Sequence, residues 1–99
     1  MDKAFENQSL LKDIRDIDDM LNQYRQSGLI NREKVISKIR ELRVTNKDIR
    51  ETTMATLPLN PIPFGEASNN QLVSEINAYK LILQENYWRN KQEDTHTNA

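Results

Sequence analysis

Side chains that commonly carry out catalysis are scarce in this chain. It has no cysteine, which excludes thiolate nucleophiles, disulfides and cysteine-based zinc sites. Its one histidine, His96, has no serine, cysteine or aspartate at the spacing of a recognisable triad. The two glycines, Gly28 and Gly65, belong to no phosphate-binding GxGxxG or GxxxxGK[ST] pattern. We therefore predict a protein that is not an enzyme and needs no cofactor.

Aspartates cluster near the N-terminus, at Asp13, Asp16, Asp18 and Asp19. Carboxylates three residues apart on a helix can share a hard cation such as Mg²⁺. Metal sites in helical bundles, however, draw inward-facing ligands from several helices, whereas these aspartates flank the apolar positions Ile14 and Ile17. Runs of charge usually face water, so we predict no metal site here.

Cations align along one side of the second predicted helix, at Arg40, Arg43, Lys47 and Arg50. This basic stripe could follow the phosphates of a nucleic acid or contact another anion. Acidic residues interrupt the neighbouring faces, and the net charge of the whole chain is −1. These two features favour intramolecular ion pairs and leave nucleic-acid binding as the alternative.

The last predicted helix has apolar residues on two sides. Leu81 and Trp88 lie seven residues apart, opposite the stripe that would face the rest of the protein. Tyr87 and Arg89 adjoin them, and tryptophan, tyrosine and arginine dominate the energetics of protein interfaces. We therefore predict that Leu81, Tyr87, Trp88 and Arg89 bind a partner. The alternative is that the proline-rich segment folds over this side through Ile62 and Phe64.

Two apolar stripes with the spacing of packed helices precede the proline-rich segment. Apolar residues recur at intervals of three and four, which predicts helices over residues 2–27 and 31–56. Gly28 suits the left-handed position just past a helix, and Asn31 can cap the next one. So short a turn predicts an antiparallel helical hairpin. Its matched layers would be Tyr24–Val35, Leu21–Ile39, Ile17–Leu42, Ile14–Asn46 and Leu10–Ile49.

A third helix follows a stretch that contains all three prolines of the chain. Prolines fix the backbone of residues 57–67, which predicts an extended strap. A capping box that begins at Ser68 predicts a helix over residues 69–90. Residues 92–99 are polar and without periodicity, so we expect a disordered tail after a domain of residues 1–91.

These observations predict an all-α protein: an antiparallel hairpin with a third helix, which a second copy would complete as an oligomer. No segment approaches the roughly 20 apolar residues that span a bilayer, and we expect a cytoplasmic protein without membrane contact. Its expected function is that of a non-enzymatic interaction module, such as a small regulator, inhibitor, adaptor or assembly factor, which presents the third helix. Two alternatives are a nucleic-acid-binding regulator that uses the basic stripe, and an oligomer that holds a small anionic ligand between subunits.

Overall fold

The chain forms four helices over the part that the computed structural model describes, namely residues 3–56 and 63–97, with side chains described for residues 4–53 and 63–92. The helices are α1 (Lys3–Ser27), α2 (Arg32–Thr45), α3 (Lys47–Thr56) and α4 (Asn69–Thr97). No β-strand occurs within these residues, so the predicted all-α class is confirmed. None of these helices is long and apolar enough to cross a lipid bilayer.

The first turn uses the two residues that the sequence indicated. Gly28 has a φ of 72°, which is the left-handed region, and its N–H donates to the carbonyl oxygen of Tyr24 at 2.7 Å. Asn31 is extended, and its side-chain oxygen accepts a hydrogen bond from the N–H of Lys34 at 3.2 Å. Glycine therefore ends α1, and an asparagine cap begins α2.

The sequence predicted one helix over residues 31–56, but the structure has two helices that meet at Asn46. The backbone of Asn46 is extended, with φ −109° and ψ 119°. Its N–H donates to the carbonyl of Leu42 at 2.9 Å and ends α2, while its side-chain oxygen accepts from the N–H of Ile49 at 3.0 Å and caps α3. Asparagine side chains compete for backbone hydrogen bonds in this way, which makes them better caps than interior helix residues.

Helix α4 packs against each of the other three helices. Its contacts with α1 run in opposite chain directions: Tyr24 donates to Asn70 near one end, and Asn90 donates to Asn7 near the other. Lys80 and Asp18 form an ion pair between these ends. Helices α1 and α4 are therefore antiparallel.

Helices α2 and α3 contact α4 in opposite senses. Arg32 donates to Asn69 at 2.7 Å and Asn46 donates to Asn86 at 2.9 Å, so α2 runs parallel to α4. Beyond Asn46 the chain turns back, because Thr53 of α3 lies 3.1 Å from the hydroxyl of Tyr79. Between α1 and α2, Lys38 forms ion pairs with aspartates of α1. The layer-by-layer register of these two helices stays a prediction.

One apolar core joins all four helices. Ile17, Ile39 and Leu83 are fully buried, and each comes from a different helix. The remaining buried apolar side chains are Leu10, Ile14, Met20, Leu21, Val35, Leu42, Ile49, Leu72, Ile76 and Tyr79. This core includes most of the two apolar stripes that the sequence indicated.

The strap and the tail differ from their predictions in different ways. The proline-rich residues 57–62 lie outside the described residues. The predicted strap ends in a turn in which the carbonyl of Pro63 accepts from Glu66 and Ala67, at 2.9 and 3.2 Å. The tail predicted from residue 92 is instead helical to Thr97 as the end of α4, and its Gln92 and Glu93 are residue types that favour helix.

Candidate functional site

Leu81 and Trp88 are exposed on the side of α4 that points away from the core. They are 58% and 66% exposed, and their spacing of seven residues is two helical turns, so they share one side. We call this side the outer face of α4, and its members, all exposed, are Ser74, Ala78, Leu81, Glu85 and Trp88. Glu85 is the one charged residue among them.

The opposite side of α4 explains why this helix is held firmly while its outer face stays exposed. Leu72, Ile76, Tyr79 and Leu83 recur at intervals of three and four and are buried against the other helices. That side alone places α4 in the core. The packing of α4 therefore does not require Leu81 or Trp88.

The other two predicted partner-binding residues lie outside the outer face and contact their own chain. Tyr87 is half-buried against the core, and the ammonium of Lys91 lies 5.5 Å from the centre of its ring. Arg89 forms ion pairs with Asp48 at 3.5 Å and with Glu85 at 3.7 Å. The structure thus brings together Leu81 and Trp88 and places Arg89 beside the outer face. Tyr87 lies instead on the core-facing side of α4, one helical turn after Leu83.

Phe64, which the alternative interpretation placed over the outer face of α4, packs against α2 instead. The guanidinium groups of Arg40 and Arg43 lie 5.1 and 5.0 Å from the centre of its ring. Arg32 donates to the carbonyl oxygens of Phe64 and Ala67, at 3.1 and 2.7 Å. These contacts hold the turn before α4 against α2. Ile62 lies outside the described residues.

The basic stripe also makes intramolecular contacts along its whole length. Arg43 forms an ion pair with Glu75, and Arg40 lies over Phe64 as described above. Lys47 is 4.0 Å from Glu51, and Arg50 donates to a backbone carbonyl of α2 at 3.2 Å. The stripe is therefore partly used to join α2 to α4 and to the turn before it.

A polar cluster around Tyr79, which we call the Tyr79 cluster, joins three helices inside the protein. The hydroxyl of Tyr79 accepts from Nε of Arg43 at 2.9 Å, donates to Glu75 and lies 3.1 Å from the hydroxyl of Thr53. Burial raises the pKa of Tyr79; the bonds from Arg43 and Thr53 lower it and the contact with Glu75 raises it, with a net rise. Sequence analysis missed this cluster, although the spacing of Glu75 and Tyr79 by one helical turn was a visible signal.

Two of the clustered aspartates bind a lysine of the neighbouring helix. Nζ of Lys38 lies 3.2 Å from both Asp13 and Asp16, and 3.5 Å from Glu41. Burial lowers the pKa of Lys38, but the hydrogen bonds with Asp16 and Asp13 and the attraction of the carboxylates outweigh it and raise the pKa overall. A groove of about 300 Å³ borders this lysine between α1 and α2. Lys38 therefore links α1 to α2 through its ion pairs.

The chain matches no protein-family model, and no curated protein or solved structure resembles it at a significant level. Interpretation of its function therefore rests on the geometry described above.

Proposed function

We propose that the protein is a non-enzymatic protein–protein interaction module that presents the outer face of α4 to a partner. The observation that supports this proposal is the exposure of Leu81 and Trp88 together on one side of a helix whose opposite side is fully packed. The proposal includes the antiparallel hairpin of α1 and α2 that was predicted from the sequence, as part of the platform that supports α4.

The energy available at this face is large enough for recognition. Burying the exposed part of Trp88 and Leu81 would remove on the order of 100 Å² of apolar surface from water for each side chain. At about 25 cal/mol per Å², the two contribute roughly 5 kcal/mol before the cost of association is subtracted. Of the two, Trp88 is the residue type that is enriched among the energetically dominant residues at the centre of protein interfaces.

The contacts of the basic stripe favour a protein partner over nucleic acid. A phosphate-binding surface needs cations that are free to replace counterions. Arg43 is half-buried and bound to Glu75 and Tyr79, and Arg40 lies against Phe64. Nucleic-acid binding that uses Arg43 would disrupt contacts that join α2 to α4.

Affinity capture with matched variants tests the proposal. The tagged wild type is compared with a Leu81→Gln, Trp88→Gln double variant and with Val44→Gln, using lysate of the source cells and quantitative mass spectrometry. Val44 is the control because it is 71% exposed but lies on α2 rather than on the outer face of α4. We expect the double variant to lose a protein that both the wild type and Val44→Gln retain. Equal capture by all three proteins, with unchanged helical circular dichroism, would show that the face does not bind.

A further inference from the structure

We propose that α3 is exchanged between two copies of this chain. In each copy of the resulting dimer, α2 and α3 join into one continuous helix of residues 32–56, and α3 packs on α4 of the other copy instead of its own. The second copy thereby supplies Thr53 to the Tyr79 cluster. The outer face of α4 takes no part, since Tyr79 lies on the core-facing side of that helix.

The sequence around the break between α2 and α3 favours a continuous helix. Residues 29–57 contain no glycine or proline, and Asn46 alone separates the two helices. Burial also continues across the break, because Leu42, Ile49 and Thr53 are all buried and lie at intervals of seven and four residues, as on one face of a single helix. The local sequence therefore permits α2 and α3 to form one helix.

Side chains satisfy backbone groups at the break. The N–H of Ile49 donates to the side chain of Asn46 at 3.0 Å, and the carbonyl of Val44 accepts from the guanidinium of Arg50 at 3.2 Å. A continuous helix would instead pair the N–H groups of residues 47–49 with the carbonyls four residues earlier. Regular backbone hydrogen bonds would then replace these side-chain contacts.

Polar side chains also join the break to α4. Asn46 donates to Asn86 at 2.9 Å, and Asn86 donates to Asp48 at 2.7 Å. Arg89 lies 3.5 Å from the same carboxylate. A groove of about 340 Å³ borders all four side chains, so water can replace these bonds when α3 moves away. Bonds that water replaces contribute little net stability, and these contacts therefore oppose opening of the break only weakly.

The core contacts of α3 are the same in the exchanged dimer as in the single chain. Ile49 is fully buried and Thr53 is 9% exposed, and both would meet the same residues of α4 in the second copy. These contacts cancel when the two forms are compared, so the conformation of residue 46 and the protein concentration decide between them. We expect a dimer that forms at high concentration and exchanges slowly, because α3 must first leave the core.

Two substitutions of Asn46 test whether residue 46 is helical in the dimer. Asn46→Ala and Asn46→Gly both remove the side-chain cap and the bond to Asn86, but alanine favours the interior of a helix and glycine disfavours it. Because a dimer contains residue 46 twice, the dimerisation constant of the alanine variant should exceed that of the glycine variant by about 20-fold or more. Sedimentation of each full chain, refolded over a range of concentrations, measures these constants. Equal constants would overturn the proposal.

Isotope labelling combined with cross-linking tests whether α3 is exchanged. The chain has no cysteine, so Asp48→Cys and Arg89→Cys introduce the only two thiols, at positions whose native side chains lie 3.5 Å apart. Equal amounts of unlabelled double variant and of the same variant labelled with a heavy nitrogen isotope are refolded together and treated with a short bis-maleimide. In the dimer, about half of the links between residues 48 and 89 should join a labelled to an unlabelled chain, because the copies pair at random. A dimer whose links all join residues of one label would refute the exchange.

The Leu81→Gln, Trp88→Gln double variant separates this proposal from the proposed function. It should dimerise as the wild type does, because the outer face of α4 takes no part in the exchange, although it should lose the captured partner. A dimer that disappears in this variant would mean that the outer face holds the copies together, which would overturn the exchange of α3. A wild type that sediments as one chain at every concentration would also overturn the exchange and would leave the proposed function intact.

Discussion

Removing the hydroxyl of Tyr79 should destabilise the fold more than its single oxygen atom suggests. Tyr79→Phe keeps the buried ring in the core but removes the oxygen that contacts Arg43, Glu75 and Thr53. These three partners belong to α2, α4 and α3, so the hydroxyl of Tyr79 is the point at which the three helices share hydrogen bonds. The substitution therefore tests whether this arrangement stabilises the turn at Asn46.

The expected cost follows from what each partner retains. Arg43 and Glu75 remain bound to each other, so neither charge is left alone. The lost bond from Arg43 is charge-assisted, and such bonds contribute about 1.5–3 kcal/mol. The Thr53 hydroxyl, in a side chain that is only 9% exposed, also loses its contact with Tyr79. We expect Tyr79→Phe to lower the free energy of unfolding by about 2–3 kcal/mol, a large share of the stability of a small domain.

Urea denaturation followed by circular dichroism measures this cost, with two further variants for comparison. Thr53→Val in the Tyr79→Phe background should recover part of the loss, because it removes the hydroxyl left without its partner. Tyr87→Phe keeps the ring under Lys91 and should change stability little. If the denaturation midpoint of Tyr79→Phe equals that of the wild type, the reasoning about this cluster is wrong.

Three further predictions concern the fold. Ile17→Ala and Leu42→Ala should each lower the free energy of unfolding by about 2–5 kcal/mol, because both side chains are buried; an unchanged urea midpoint would show that the layer is not packed. Asn46→Ala should lower the free energy of unfolding by about 1 kcal/mol, because the cap of α3 is lost. A gain in helical signal and in stability would instead indicate that a continuous helix over residues 31–56 is preferred. The free energy of unfolding should fall as the pH rises above the ordinary pKa values, which are 10.0 for Tyr79 and 10.5 for Lys38. Both pKa values are raised in the folded state, so the unfolded chain loses these protons first as the pH rises. Alkaline denaturation curves should be flatter for Lys38→Met than for the wild type, and identical slopes would contradict this account.

The positions of the core residues were predictable because burial follows helical periodicity. Ile17 and Ile39 each lie in a stripe with intervals of three and four, and both are fully buried. The caps at Gly28 and Asn31 were also predictable, because each depends on one residue and its immediate neighbours. Local pattern was therefore sufficient wherever the structure depends on local geometry.

The break at Asn46 and the Tyr79 cluster could not be deduced in this way. Asparagine is found both within helices and at caps, and at residue 46 the choice depends on contacts with α4, where Asn86 accepts from its side chain. The bonds of Tyr79 join residues that are 26 and 36 positions away in the chain. Such contacts form only after the helices have packed, so spacing within one helix could indicate only the Glu75–Tyr79 pair of this cluster.

The charged and the apolar residues on the surface differ in whether they make contacts that stabilise the fold. The cations of the basic stripe make contacts within the chain, and Asp13 and Asp16 bind Lys38. Isolated exposed apolar residues such as Phe5 are ordinary in soluble proteins and need no partner. Leu81 and Trp88 are different because they share one face of a helix that is already secured from its other side. Folding accounts for the charged clusters but not for this face, which is why we propose that α4 presents it to another surface.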